Sequence, residues 1–330
     1  MRRPVKRVLI AALLVLVLAW AATGIVLPYF VIRPGEALVV GERVTFGGSQ
    51  RQDPLSGRFL LTTVALSQPS AVGFVEAWID DDLTLLPRDE VIPSGSQPRE
   101  YFQAQRKLFA ESTRIAAAVG LRAAHRDVTI TGDGARVAAI VPGSPADGKL
   151  HKGDVIVRAA GMPVHLTSDV IAVATRREPG DRVRLEVRRD GELSRVTVGL
   201  ERSEQLERPR LGIAVRTVDL KIHLPFSVDV ESGRIGGPSA GLMVALTVYD
   251  LAQSGDLTRG RTVAGTGTID TDGHVGPVGG VSQKVEAAVE AGAAIFLVPS
   301  EEAAEARSAA NGRLRVVEVK TLDQAVAALR

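Results

Sequence analysis

The first part of the chain is distinguished by a long stretch of apolar residues without a charge. Val8 to Leu27 is a run of 20 uncharged residues, and about 20 apolar helical residues cross a bilayer core of roughly 30 Å. The apolar character continues to Ile32, so the pattern predicts a transmembrane anchor over residues 8–32. Four basic residues lie within residues 1–7. Because basic residues beside a span stay in the cytoplasm, we expect a cytoplasmic tail and an exterior remainder.

A cleaved signal peptide is the alternative interpretation of this stretch. Ala19-Trp20-Ala21 matches the small-x-small pattern of a cleavage site. Cleavage there would leave a new terminus of mostly apolar residues, which favours an uncleaved anchor. No second run of about 18 apolar residues follows, so the sequence predicts a single-pass protein of the cell membrane with its amino terminus in the cytoplasm.

Residues 36–120 combine strand-like and helix-like patterns. They contain a β-rich segment at Arg58–Leu66, a short amphipathic pattern at Val72–Ile79, and a helical pattern from Pro98 to Val119 that Gly120 is expected to end.

Residues 121–203 form a β-rich segment with one helix. Strands are predicted near Asp127–Thr131 and Arg136–Val141, and a helix is predicted over Ser168–Arg177. Asp190-Gly191, between two alternating runs, indicates a hairpin. From residue 210 to residue 330 strands and helices alternate, so we expect an α+β fold with an α/β carboxy-terminal domain.

Composition and charge exclude several classes of function. The 330 residues suffice for about two domains. Outside residues 1–7 there are 36 basic and 38 acidic residues, so no basic excess supports nucleic-acid binding. The absence of cysteine excludes thiol nucleophiles and cysteine metal sites. The five histidines form no metal-binding pair, and no phosphate-binding G-x-x-x-x-G-K-[ST] motif occurs. We therefore expect no metal, no cofactor and no ATP.

The segment Ile235 to Leu242, with the sequence IGGPSAGL, carries a candidate nucleophile. Ser239 follows Pro238 and precedes an apolar run typical of a buried helix. A helix N-terminus has free N–H groups that favour negative charge, as the oxyanion of acyl transfer requires. Gly237 and Gly241 would let a substrate backbone approach closely. An ordinary capping serine explains this segment equally well when it is taken alone.

A second segment, Gly279 to Ala288, carries Lys284. Val281, Val285 and Ala288 mark one apolar helix face, and Lys284 lies on or beside it. Desolvation lowers the pKa of a lysine, and a neutral lysine can act as a general base. A lysine that extends along apolar surface to water is the alternative interpretation.

Gly237–Gly241 also matches the G-x-S-x-G elbow of α/β-hydrolases. That fold requires a strand–turn–helix around the serine and a histidine further along the chain. Only His274 follows, in a turn-like segment, and a glycine-rich loop precedes Ser239. Both features argue against that fold.

Together the two segments resemble the proteolytic domain of Lon proteases, which use a Ser-Lys dyad. GGPSAGL around Ser239, AGTGTID around Thr266 and GHVGPVGGVSQKVEAA around Lys284 agree with that family in order and spacing. The resemblance covers residues 210–330. It implies that Ser239 is the nucleophile and Lys284 its general base, and that Thr266 hydrogen-bonds the lysine. It further implies an oxyanion hole of backbone N–H groups near Gly237 and Ser239.

The resemblance also implies that Pro238 and Gly241 are supporting residues of the site. The chain departs from the family at two positions. Gly236 stands where an acidic residue often precedes the Gly-Pro-Ser, and Thr268 occupies a position that is commonly glutamate. The ATPase module of Lon is absent, so ATP-driven unfolding is not expected.

Residues 121–203 resemble a PDZ domain through GSPADGKLHKGDVIVRAAGMPV, the following helix and the closing hairpin. In that family an extended peptide adds a strand in a groove beside the helix. The resemblance places this groove between Asp127–Thr131 and Asp169–Thr175, with a carboxylate-binding loop near residue 120. The implied peptide-binding residues are Gly120, Leu121, Val128, Ile130 and Ile171.

The Lon-like region is short for a complete proteolytic domain. The strand at Leu60–Leu66 and the helix at Pro98–Val119 resemble the start of one. We therefore hypothesise that the PDZ-like module is inserted into the protease domain and that residues 36–120 pack with it.

As a whole, the chain resembles the membrane-anchored, PDZ-containing Lon-like proteases of bacteria. The resemblance implies an ATP-independent serine endopeptidase outside the cytoplasmic membrane, acting on unfolded or membrane-proximal polypeptides, in which the PDZ-like groove binds peptide or gates substrate. It also implies a homo-hexamer. A non-catalytic, membrane-tethered PDZ scaffold with a degenerate protease fold is the alternative, and a hydrolase of small esters is a second one.

Overall fold

The computed structural model describes residues 27–48, 55–80, 83–92, 96–202, 209–233, 235–253 and 256–330. The tail predicted at residues 1–7 lies outside these ranges, as does the predicted anchor up to residue 26. Across the ranges described, no helix combines the length and the apolar character needed to cross a membrane.

The chain order of elements is as follows. The strands are β1 (Tyr29–Val39), β2 (Val44–Phe46), β3 (Arg58–Ser67), β4 (Thr84–Pro87), β5 (Thr129–Thr131), β6 (Ala135–Ile140), β7 (Val155–Ala159), β8 (Met162–Pro163), β9 (Arg182–Arg189), β10 (Glu192–Gly199), β11 (Glu201–Arg202), β12 (Pro209–Arg210), β13 (Ile213–Thr217), β14 (Lys221–His223), β15 (Val228–Val230), β16 (Thr262–Gly265), β17 (Thr268–Ile269), β18 (Val275–Gly276), β19 (Ile295–Pro299) and β20 (Arg315–Val319). The helices are α1 (Ala71–Ile79), α2 (Arg88–Val91), α3 (Pro98–Ala123), α4 (Thr167–Thr175), α5 (Gly241–Ala252), α6 (Val281–Glu290), α7 (Ala303–Ala310) and α8 (Leu322–Leu329), and a 3-10 turn spans Ser300–Glu302.

The last part of the predicted anchor is a strand. β1 begins at Tyr29 and pairs antiparallel with β3 and with β4, so that Val31 lies opposite Ser67 and Phe30 opposite Leu86. Phe30 and Val31 are buried within the protein. Aromatic and β-branched residues fit a pleated strand, and here their apolar side chains fill a protein core. The prediction that residues 29–32 belong to a membrane-spanning helix is therefore wrong.

The larger unit is built on a six-stranded sheet in the order β20-β19-β16-β3-β1-β4. β16 pairs in parallel with β3 on one side and with β19 on the other, whereas β1 and β3 are antiparallel. Strands that precede residue 90 and strands that follow residue 260 therefore share one sheet.

Helices cover both faces of this sheet. On β3, Phe59 and Leu61 face a core that contains α3, α5 and α8, whereas Leu60 faces a second core with α6 and α7. On β19, Leu297 and Phe296 divide between the same two cores. Strands buried on both faces have continuous apolar runs, and this is the pattern of IFLVP in β19.

Helix α5 lies at the centre of the first core. Every residue from Gly241 to Asp250 is buried, as expected for a helix surrounded by protein. Helix α3 crosses it closely, because a Cβ atom on Gly120 would lie only 2.5 Å from the carbonyl oxygen of Ala245. Gly120 permits this close approach and does not end the helix, which continues to Ala123.

The smaller unit contains a second sheet in the order β10-β9-β7-β6-β13, with β8 paired to β7. The hairpin between β9 and β10 turns at Asp190 and Gly191, which have φ angles of 51° and 89°, as the sequence predicts. Helix α4 packs against this sheet through Val170 and Val173, in a core separate from the two of the larger unit. β13 completes the sheet at its edge.

The close packing of α3 on α5 generates a stability prediction. We expect Gly120→Ala to lower the free energy of unfolding by about 1–3 kcal/mol or more, because the added methyl group overpacks a buried backbone contact. Urea unfolding of the full chain measures this difference.

Gly73→Ala in α1 is the matched control. A Cβ atom there would meet its nearest neighbour at 3.6 Å, an ordinary contact, so this variant should be stabilised by about 0.5–1 kcal/mol. Equal changes in the two variants would contradict the packing argument.

Candidate active site

Ser239 lies in a turn directly before α5. The N–H of Gly241 donates to the carbonyl oxygen of Pro238 at 3.2 Å, and Ala240 is the residue that precedes the first helical position. Ser239 is half-buried. Its hydroxyl group makes no hydrogen bond with any residue that the structure describes. The serine hydroxyl thus lies at the N-terminus of α5 but does not cap the helix by a hydrogen bond.

The backbone of this turn is fixed from two sides. From the sheet side, the N–H of Gly267 donates to the carbonyl oxygen of Ser239 at 2.9 Å. From α3, the hydroxyl of Ser112 donates to the carbonyl oxygen of Pro238 at 3.0 Å. The turn is therefore built by residues far apart in the chain.

The N–H groups near Ser239 differ in their partners. The N–H of Gly237 donates to the carbonyl oxygen of Gln105 at 2.9 Å, so the oxyanion donor predicted at Gly237 is engaged in this structure. The N–H groups of Ser239 and Ala240 have no hydrogen-bond partner among the described residues. They are the free donors beside the serine hydroxyl.

Lys284 lies on the buried face of α6. Lys284 is only 3% exposed. The helix begins after Gly280, whose φ angle of 67° lies in the left-handed region that glycine adopts readily. The ammonium nitrogen Nζ donates to Oγ1 of Thr266 at 3.1 Å. Burial lowers the pKa of Lys284 to about 8, although the carboxylates of Glu302 and Glu305 oppose this shift.

Thr266 connects the lysine to the serine turn. It follows β16, is fully buried, and its backbone N–H donates to the carbonyl oxygen of Leu297 at 3.0 Å. The hydroxyl accepts from Lys284 and donates to the carbonyl oxygen of Ser239 at 3.2 Å. The structure thus brings Ser239, Thr266 and Lys284 together from three separate elements. Among the described residues, no hydrogen bond joins Lys284 Nζ directly to Ser239 Oγ.

Gln105 and Ser112 hold the serine turn without having been predicted from the sequence. Both lie on α3, where polar residues at helical spacing resemble an exposed face. Ser112 lies at helical spacing from Phe109 and Ala116, on the buried side of α3. A serine on this otherwise apolar side is the signal in the sequence that could have indicated a role in the site.

His274 does not take part in this arrangement. Its Nδ1 lies 3.1 Å from Oδ2 of Asp270, in the turn between β17 and β18. No hydrogen bond connects it to Ser239 within the described part of the chain. The same part holds no cluster of three or more histidine, aspartate and glutamate side chains that could bind a metal.

Four of the residues predicted to bind peptide lie elsewhere. Gly120 and Leu121 are inside α3 and are buried, so they form no carboxylate-binding loop. Ile130, in β5, lies opposite Ile222 of β14, and Val128 packs against the core of the larger unit. The prediction of a groove between Asp127–Thr131 and α4 is wrong, because β5 pairs with β14 outside the PDZ-like sheet.

β13 occupies the sheet edge nearest to α4 instead. Ile213 lies opposite Ile140 of β6, Leu211 is buried, and Gly212 has a φ angle of 79°. The N–H of Thr167, at the start of α4, donates to Oγ1 of Thr217 at 3.1 Å. In the sequence, the signal for this edge strand is Leu211-Gly212-Ile213, where β13 begins. These residues follow the segment 121–203 that resembles a PDZ domain.

Ile171 lines a cavity between the two units. The cavity has a volume of about 940 Å³. One wall is the exposed side of α4, and the other is formed by β17, β18 and the 3-10 turn. Its lining includes Ile171, Thr175, Thr268, Asp270, Val275 and Glu301. Ser168, which also lines the cavity, accepts a hydrogen bond from the hydroxyl of Thr271 at 3.4 Å. Thr268 is two residues beyond Thr266 in the chain, whereas Ser239, Thr266 and Lys284 themselves do not line the cavity.

Comparison with known proteins gives a family for each unit. Residues 117–200 match the PDZ domain family, and residues 198–329 match the Lon protease (S16) C-terminal proteolytic domain. Lon protease 2 of Bacillus subtilis is 29% identical over 114 residues, which cover 34% of this chain and 19% of that protein. The Lon protease of Heliobacterium modesticaldum is 36% identical over 122 residues, which cover 35% of this chain and 14% of that protein.

A solved PDZ domain, from the SdrC-like protein of Listeria monocytogenes, is 23% identical. It covers 25% of this chain and 87% of its own, with a TM-score of 0.24. The chain spans less than a fifth of the length of the two Lon proteases. It contains a PDZ domain and the C-terminal proteolytic domain of Lon proteases, which supports a peptidase.

Proposed function

We propose that the protein is an ATP-independent serine endopeptidase in which Ser239 is the nucleophile and Lys284 the general base. The observation that carries this proposal is the buried Lys284, whose Nζ donates to the same threonine hydroxyl that holds the backbone of Ser239. A lysine with a pKa of about 8 is half neutral near pH 8 and about one-tenth neutral at pH 7, and the neutral amine is the form that acts as a general base.

The proposed reaction begins with proton transfer from Ser239 Oγ to Lys284 Nζ. A neutral amine retains two N–H bonds and one lone pair. It can therefore keep donating to Thr266 while the lone pair accepts the serine proton. Oγ then attacks the peptide carbonyl carbon, and the lysine gives its proton to the leaving nitrogen. Water hydrolyses the acyl-enzyme. We propose that the free N–H groups of Ser239 and Ala240 stabilise the oxyanion.

We further propose that the substrate is an extended polypeptide that contacts both units. An edge strand offers unpaired backbone groups to an added strand, and β13 is the edge beside α4. The cavity lined by Ile171 of α4 and Thr268 of β17 supports a route from the PDZ domain to Ser239. Anchoring of the chain in the cell membrane by residues before Tyr29, and assembly into a homo-hexamer, are parts of this proposal that follow from the resemblance alone.

Substitution of the dyad tests the proposal directly. We expect Ser239→Ala and Lys284→Met each to lower the turnover of an unfolded protein by at least about 100-fold, because each removes a group that acts in the transition state. Lys149→Met, at an exposed position of the smaller unit, is the control for the lysine. Equal turnover in all variants would reject the dyad. Absence of turnover in the wild type would favour the non-catalytic scaffold, and turnover of esters alone would favour the esterase.

The pH profile provides a second test. Because neutral Lys284 is the active form, kcat/KM should rise with pH below the lysine pKa and reach half of its plateau near pH 8. Initial rates with an internally quenched peptide measure this profile between pH 6 and 10. A profile that is already flat at pH 6 would contradict a lysine base.

The two-unit route predicts different effects on long and short substrates. Ile171→Glu should raise KM for an unfolded protein about tenfold, since it adds a charge to the cavity wall, but should leave KM for a short peptide unchanged. Leu193→Glu, on β10 at a side chain that is 69% exposed, is the matched control. Equal KM changes for both substrates would contradict the route.

A further inference from the structure

One carboxylate oxygen near Lys284 is buried without a partner. Oε2 of Glu302 has no exposed surface and accepts no hydrogen bond within the described part of the chain. Glu302 ends the 3-10 turn that follows β19 and directly precedes α7. Buried polar atoms nearly always have partners, so an orphaned carboxylate oxygen requires an explanation.

Polar contacts hold the element that carries Glu302 against the helix that carries Lys284. The backbone N–H and the hydroxyl of Ser282, on α6, donate to Oε1 of Glu305 at 3.0 and 2.9 Å. Farther along α6, Glu286 accepts two hydrogen bonds from Arg313, at 2.8 and 2.6 Å. These contacts lie on either side of Lys284 in the sequence and fix α7 relative to α6.

The lysine has unused hydrogen-bonding capacity in the same region. A charged ammonium group has three N–H donors, and Lys284 makes one hydrogen bond to a described residue, Thr266. A buried charge is costly unless it is compensated. Glu302 and Glu305 are the carboxylates that act on Lys284 through their charge. Glu305 is already hydrogen-bonded to Ser282, whereas Glu302 retains an oxygen without a donor.

Other charged groups on the elements packed around α6 are engaged or exposed. On β1, Arg33 pairs with Glu76 at 3.0 Å and Glu36 is exposed. On β3, Arg58 is exposed and donates to Thr262 at 3.2 Å. Arg307 of α7 pairs with Glu318, Glu286 pairs with Arg313, and Glu290 and Glu301 are exposed. β16 contributes no charged side chain. Glu302, which is half-buried, is therefore distinguished by one buried oxygen that has no partner among the described residues.

We propose that Glu302 is a positioning residue for Lys284, whose negative charge stabilises the ammonium form that arises when the lysine takes the proton of Ser239. The inference rests on the proposed function of the dyad. Glu302 neither binds substrate nor takes the proton, which passes from Ser239 Oγ to Lys284 Nζ and then to the leaving nitrogen. Its effect is to set the basicity of the lysine, because a carboxylate with one buried, unpaired oxygen favours a nearby cation.

Glu302→Gln tests this role, with Glu301→Gln as the matched control. Glutamine keeps the shape of the side chain and removes its charge, and Glu301 is an exposed neighbour in the same turn. The first measurement is the pH dependence of acetylation of the Lys284 amine by acetic anhydride, followed by mass spectrometry. We expect the midpoint to move to lower pH by about one unit in Glu302→Gln and to stay unchanged in Glu301→Gln.

The second measurement is the pH profile of kcat/KM. Its rising limb should move to lower pH together with the acetylation midpoint, and the plateau should fall about tenfold, since a weaker base accepts the serine proton less readily. Glu302→Asp, which keeps a carboxylate, should give a midpoint between those of the wild type and Glu302→Gln. A purely structural role would change stability and rate without moving either midpoint.

The outcomes separate the two hypotheses. An unchanged acetylation midpoint in folded Glu302→Gln and Glu302→Asp would overturn the role of Glu302. A shifted midpoint in a protein that cleaves no polypeptide would support the Glu302–Lys284 interaction and reject the proposed protease. A shifted midpoint with a shifted kcat/KM profile supports both.

Discussion

The hydrogen bond from the buried Lys284 ammonium group to Thr266 is the interaction on which the site depends. Placing a lysine at 3% exposure costs free energy, because the ammonium group loses its water. The molecule reduces this cost in two ways, through the threonine hydroxyl and through the carboxylates of the neighbouring turn and helix. What remains of the cost lowers the pKa of the lysine to about 8. Burial thus produces the chemical property that a base needs, and the hydrogen bond decides where the amine is held.

This interaction requires residues from both ends of the larger unit. Thr266 is held at the end of β16, whose neighbour β3 comes from the amino-terminal segment. The serine turn is held by Gln105 and Ser112 of α3, which precede the PDZ domain in the chain. The carboxy-terminal residues alone would lack a central strand and the helix that positions Ser239. The residues before the PDZ domain are therefore part of the site, and the PDZ sheet interrupts a single structural unit.

Local sequence patterns correctly predicted the elements that short-range interactions determine. Ser70 caps α1, where the sequence indicates a short amphipathic helix, and the Asp190-Gly191 hairpin forms as expected. The spacing of Ser239, Thr266 and Lys284 predicted that they belong to one site, through resemblance. The errors concern choices between distant partners. Gly120 fits a helix stop in sequence, but its missing Cβ serves contact with Ala245.

The predicted peptide groove failed for the same reason. An alternating run such as residues 127–131 shows that a strand will form, but not which strand it will join. Here β5 joins β14, and β13 takes the edge of the PDZ sheet. Likewise, the apolar residues after Leu27 fit a membrane as well as a protein core until β3 and β4 provide backbone partners for them.

β13 begins the segment of chain that connects the PDZ sheet to the serine turn. The chain leaves the PDZ sheet through β13, pairs with β5 through β14, pairs with β2 through β15, and then enters the serine turn. Every strand on this path pairs with a different part of the molecule. The segment between the sheet edge and Ser239 is therefore held by backbone pairing at three strands. A peptide added beside β13 would act on a strand that is anchored at Thr217 to α4. Helix α4 is also one wall of the cavity beside Thr268. The edge of the PDZ sheet and the cavity therefore meet at the same helix.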